Sequence, residues 1–221
     1  VPVIAGTGSN CTKEAVEMTK EAKRLGADAT LKAAPYYNKT SQGGFYRHFI
    51  EVAEQGGLPV IVSNIPGRRG KNLENSTMLK LAAHKSIVGV KEASGSIPQV
   101  MDLVQQKPED FAVLSGDDNL GFPMITLDGK GIISVASNII PRRMEGLVKT
   151  ALEGNWDAAL KEHYSLLSFF RTLFIETNPI PVKCGLALMG KMEEVYRLPL
   201  CPMEEDKRQA MKKALLDLGL I

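Results

Sequence analysis

The chain has 221 residues, 44% hydrophobic and 24% charged, with 27 basic against 25 acidic side chains and a formal net charge of +2. These balanced, interspersed charges exclude the basic face of a nucleic-acid binder and the polybasic patch of a membrane-surface protein, and no apolar run approaches the ~20 residues of a membrane span. Cys11, Cys184 and Cys201 lie far apart without a CxxC pair, and His48, His84 and His163 are isolated, which argues against structural disulfides and zinc and points to a reducing cytoplasm.

Val1 to Gly6 reads as a short apolar strand, followed by the polar loop Thr7-Gly8-Ser9-Asn10 and a helix that Thr12 caps and Gly26 stops. Ala29 to Ala34 is a second strand ending in Pro35-Tyr36-Tyr37-Asn38, and Phe45 to Gln55 a helix closed by Gly56-Gly57. A third strand starts at Val60-Ile61-Val62 and enters the polar loop Ser63 to Gly70. Ser76 then opens a helix over Met78 to Ala83. Ile87 to Lys91 is the fourth strand, Ile97 to Gln106 a helix, Phe111 to Leu114 the fifth strand, Leu120 to Leu127 a short helix, and Gly131 to Val135 the sixth strand. Arg142–Leu152, Asn155–Phe174, Ile180–Leu188 and Glu204–Leu218 follow as helices with no further strand.

Six strands alternating with helices predict parallel β/α units with right-handed crossovers. An open doubly wound sheet and a (β/α)8 barrel both have that alternation. The first strand is followed by a GxG without its third glycine, and no P-loop is present, so the nucleotide fingerprint is incomplete. Every strand ends in a polar or small-residue loop, the pattern of a barrel mouth.

Lys91 lies at the carboxyl end of the fourth strand, before the turn Ala93-Ser94-Gly95. A partly desolvated lysine there can lose its proton and attack a carbonyl as a Schiff-base nucleophile. A solvated strand-end lysine paired with Glu92 is the plainer alternative.

Seven motifs stand in one order and spacing: Gly6-Thr7-Gly8-Ser9-Asn10, Pro35-Tyr36-Tyr37-Asn38, Asn64-Ile65-Pro66-Gly67-Arg68, Gly89-Val90-Lys91-Glu92-Ala93, Ser115-Gly116-Asp117-Asp118, Gly131-Ile132-Ile133-Ser134-Val135 and Asn178-Pro179-Ile180-Pro181-Val182-Lys183. Over essentially its whole length the chain resembles the dihydrodipicolinate synthase family of class I pyruvate aldolases. The resemblance implies a (β/α)8 TIM barrel over residues 1–140 and a C-terminal barrel helix and helical domain over 141–221. It also implies condensation of pyruvate with aspartate semialdehyde in lysine biosynthesis, with no metal or organic cofactor, in a cytoplasmic homodimer or homotetramer.

By the same resemblance Lys91 forms the Schiff base, and Tyr37 reaches across a dimer interface into the neighbouring site. Arg68 holds the semialdehyde carboxylate, while Gly116, Ile133 and Asn178 belong to the substrate pocket. Asn10, Glu14 and Tyr36 match part of a lysine effector site found in some members.

Two departures from the family pattern are expected to matter. The resemblance begins at the family's third strand, so the first two βα units, roughly 60 residues, are expected to be missing and the chain truncated, leaving exposed strand edges prone to aggregation. Ser63 stands where the family has a proton-shuttling tyrosine. Serine is shorter and far less acidic than a phenol, and losing such a relay costs ~10²–10⁴-fold in rate. Arg69 stands where threonine is usual. The enzyme alternative is a sister aldolase of the N-acetylneuraminate lyase or keto-sugar-acid type. The alternative outside catalysis is a binding or regulatory subunit.

Overall fold

Each of six strands pairs in parallel with the next one in sequence, so the sheet order is simply the chain order. The computed structural model describes residues 1–221 and divides them into two compact units, Val1–Ile133 and Ser134–Ile221. The first holds β1 (Ile4–Gly6), α1 (Thr12–Arg24), β2 (Ala29–Ala33), α2 (Gln42–Gln55), β3 (Val60–Asn64), α3 (Pro66–Arg69), α4 (Asn75–Ala82), β4 (Ile87–Glu92), α5 (Ile97–Gln106), β5 (Ala112–Ser115), α6 (Asp118–Thr126) and β6 (Gly131–Ile132). The second holds a 3₁₀ turn over Ala136–Asn138, then α7 (Pro141–Leu152), α8 (Trp156–Thr172), α9 (Ile180–Leu188) and α10 (Glu205–Asp217).

In the first unit Phe45, Phe49 and Val52 of α2, Met78 and Leu81 of α4, and Val100 and Leu103 of α5 recur at helical spacing and pack in one core with Val60, Val62, Val90 and Val113 of the sheet. On the opposite face of the sheet Ala29, Leu31 and Ala33 of β2 and Ala112 and Leu114 of β5 are half-buried, while Ile61 and Ser63 of β3 between them are buried. In the second unit, Met144, Leu147, Leu166, Phe169 and Phe170 form the buried faces of α7 and α8, with Arg143 paired to Glu162 at 2.8 Å. Gly185 of α9 sits so close to its neighbours that a Cβ there would come within 2.8 Å of Ile139 Cδ1.

Local chemistry moves several expected boundaries. α2 starts before Phe45 because Ser41 caps it, its Oγ accepting from Gly44 N at 3.2 Å. Thr12 does not cap α1; it is the first helical residue, and its hydroxyl bonds His48 Nδ1 at 2.9 Å instead. The polar loop after β3 contains the short helix α3, preset by Pro66 at its start and released by left-handed Gly70 (φ 74°). β6 ends at Ile132, one residue before Ile133 N donates to Ser115 O at 2.8 Å.

Lys32 of β2 is fully buried. Its Nζ donates to Thr7 O at 2.6 Å, to Ala15 O at 2.8 Å and to Thr19 Oγ1, all neutral acceptors. Burial pushes its amine down to about 8, and burial with the Lys32 charge pushes nearby His48 down to about 4. An unfolded lysine holds its proton to ~10.4, so between these values the unfolded chain binds more protons and rising pH favours the fold. The stability of the protein minus that of Lys32→Met is therefore expected to rise by roughly 3 kcal/mol between pH 7.5 and 10.5 in urea titrations. A flat difference over that range contradicts a charged, buried Lys32.

Candidate active site

Strand register settles which side chains share a face. Ser63 pairs with Lys91, which pairs with Leu114, so these three point to the half-buried face of the sheet. Asn64, Glu92 and Ser115 form the next row and point the other way, towards the helices. Glu92 is therefore not the partner of Lys91. Adjacent strand residues point to opposite faces of the sheet.

Lys91 is half-buried, and its stem lies against Gly116. A Cβ at Gly116 would come within 2.9 Å of Lys91 Cε and 2.7 Å of Ala93 Cβ, so only glycine leaves this space for the lysine. Burial lowers the Lys91 amine below the ordinary lysine range; the Asp117 and Asp118 carboxylates oppose the shift and the Arg68 guanidinium adds to it. Burial likewise raises the Asp117 carboxyl, against the Lys91 charge. Asp117 belongs to the motif Ser115-Gly116-Asp117-Asp118 and had no role assigned from the sequence. Its backbone is fixed by Ser115, whose hydroxyl donates to Asp117 O at 2.8 Å.

Arg68 lies on exposed α3, after β3. The guanidinium of its neighbour Arg69 stacks over the Tyr36 ring, 5.1 Å from the centroid, and ties α3 to the loop after β2. Tyr37 is 90% exposed with φ 68°, a left-handed backbone that is unfavourable for a bulky side chain. Asn10 and exposed Glu14 flank the start of α1, where Ser9 Oγ donates to Glu14 at 2.7 Å and Asn38 Nδ2 to Asn10 O at 3.2 Å. Ile133 follows β6, and Ser63 is 5% exposed. The first unit thus carries every candidate except Asn178, which lies in the second unit just before α9.

The chain matches the model of the dihydrodipicolinate synthetase family over residues 1–218. The chain belongs to that family. Among relatives of the family, it is 48% identical over 222 residues to a 4-hydroxy-tetrahydrodipicolinate synthase of Koribacter versatilis, covering all of this chain and 74% of the relative. The crystal structure of dihydrodipicolinate synthase from Aquifex aeolicus matches with a TM-score of 0.98 at 44% identity, over 100% of this chain and 75% of that one. The chloride-inhibited synthase of Acinetobacter baumannii complexed with pyruvate matches with a TM-score of 0.98 at 42% identity, over 100% and 76%. No helix is long and apolar enough to cross a membrane.

Competitive acetylation with peptide mapping gives the Lys91 midpoint directly. It is expected below the ordinary ~10.4, raised by Arg68→Ala, which removes a repelling charge, and lowered further by Asp117→Asn, which removes an attracting one. A midpoint that neither substitution moves contradicts this electrostatic arrangement.

Proposed function

We propose that the protein is a Schiff-base lyase that condenses pyruvate with aspartate semialdehyde. The observation that carries the reading is Lys91: a half-buried amine with a lowered proton affinity, packed on Gly116 and flanked by cationic Arg68 and acidic Asp117. The six sequential parallel strands then correspond to strands three to eight of a (β/α)8 barrel over residues 1–140, with residues 141–221 as its last helix and helical domain. The pairing order β1 to β6 supports this, as does the near-complete overlap with longer synthases.

Lys91 Nζ attacks the keto carbon of pyruvate, and the carbonyl oxygen leaves as water. Loss of a methyl proton gives the enamine, whose carbon attacks the semialdehyde carbonyl. The amine of the adduct then attacks the imine carbon, closes the ring and breaks the bond to Lys91. Arg68 receives the semialdehyde carboxylate in its planar donor fork. Gly116 and Ile133, both in the first unit, complete the pocket. Tyr37 serves the site of a neighbouring subunit in a homodimer or homotetramer; its exposure and left-handed backbone suit a side chain held outward for a partner. Asn10, Glu14 and Tyr36 contribute part of a lysine effector site, of the kind found in some members of the family, at a subunit interface. A cytoplasmic setting fits the free cysteines.

Ser63 shares the face of Lys91 and supplies a hydroxyl too short to relay protons as a phenol does. Turnover is therefore expected to be slow, and Ser63→Tyr is expected to raise kcat by ~10²-fold or more. Steady-state assays with pyruvate and a panel of acceptors test the assignment. Preference for aspartate semialdehyde, lost in Arg68→Ala, supports it. Preference for a sugar aldehyde assigns the site to a sister aldolase, and turnover by neither parent nor Ser63→Tyr assigns it to a binding subunit.

A further inference from the structure

Resting on that reading of Lys91 and Arg68, we propose that buried Glu92, acting through Asn64, is a positioning residue that fixes the Arg68 loop to the strand carrying Lys91. Glu92 is 3% exposed and faces away from Lys91, with no direct access to the reacting groups. Its Oε2 accepts from Asn64 Nδ2 at 2.9 Å and from Gln99 Nε2 at 3.4 Å, and its Oε1 accepts from Ser94 N at 2.6 Å. All three donors are neutral. A carboxylate buried among neutral donors is a costly way to hold a fold together, so the donors it orients are the part to explain.

Asn64 is fully buried at the end of β3, and its side chain closes the segment that follows. Its Oδ1 accepts from Leu73 N at 3.0 Å, nine residues on, and its Nδ2 also donates to Asn72 Oδ1 at 2.9 Å. Asn72 Nδ2 donates to Gln99 Oε1 at 2.8 Å, and Asn72 O accepts from Gln42 Nε2 at 2.9 Å. The loop between these clamped ends is residues 65–72, including α3 and Arg68. The amide orientation of Asn64 is what lets one side chain hold both loop ends: its oxygen must face Leu73 N, so its nitrogen must find acceptors. Glu92 supplies one that cannot flip into a donor. A glutamine there can aim its amide nitrogen at another N–H.

Glu92→Gln tests this on the intact chain. The expected result is kcat/KM for aspartate semialdehyde lowered about 10–100-fold through misplacement of Arg68, with the rate of pyruvate Schiff-base formation within about twofold of the parent. Hydrogen exchange at residues 65–73 is expected to accelerate about tenfold while β4 amides keep their protection. The charge-conserving swap Asn64→Asp with Glu92→Gln restores an acceptor facing a donor, with the Asn72 and Gln99 amides turned over, and is expected to recover most of both losses. If Glu92→Gln does not fold, Asn72→Ala and Gln99→Ala remove the outer arms of the network and should show the same exchange change in smaller measure. Equal losses for pyruvate and aldehyde, unchanged exchange at 65–73, or no recovery in the swap overturns the proposal. If the parent protein itself shows no turnover, the functional reading fails, and the exchange measurements still decide the positioning claim.

Discussion

The structure depends on what a single strand does in its last two residues. At the end of β4 Val90 and Glu92 are buried on the helix-facing side while Lys91 is half-buried on the other, so the pleat sends Lys91 to one environment and Glu92 to another. A lysine amine that stays partly desolvated yet reachable is possible because the sheet behind it is packed by Phe45, Phe49, Met78 and Leu103 and does not yield. A shift of one residue in register would exchange the two, burying an amine among amide donors and exposing a carboxylate to the site.

The neighbouring strands extend the same logic. Register places Ser63 beside Lys91 and Asn64 beside Glu92, so the end of β3 continues the same two rows. Gly116 follows β5 and leaves space for the Lys91 stem, with its N donating to Glu92 O at 2.7 Å. The charges around the amine compete: burial and Arg68 favour its neutral form, while Asp117 and Asp118 favour its charged form. Burial is the largest of these effects, so the Lys91 amine holds its proton less tightly than a surface lysine does.

Much of this was legible in the residues. Alternating apolar runs and glycine stops located the six strands, and the position of Lys91 at a strand end was plain from Ile87-Val88-Gly89-Val90 before it. What could not be read was set by tertiary partners. Thr12 was a natural helix cap until His48 claimed its hydroxyl, and α3 was hidden in a loop whose Pro66 and Gly70 define it only in three dimensions. The buried Lys32 broke the apolar pattern of β2 with no local sign of the carbonyls that receive it. Asn64, Asn72 and Gln99 are unremarkable polar residues in sequence, and become a network only when β3, β4 and α5 bring them together.

The central claim is that Lys91 is a carbonyl nucleophile, and reduction of the protein with borohydride in the presence of pyruvate, followed by intact mass and peptide mapping, tests it most directly. The account predicts one reduced pyruvyl adduct per chain, on Lys91, absent in Lys91→Arg. Folded protein that forms no adduct, or one that carries it on another lysine, contradicts the account.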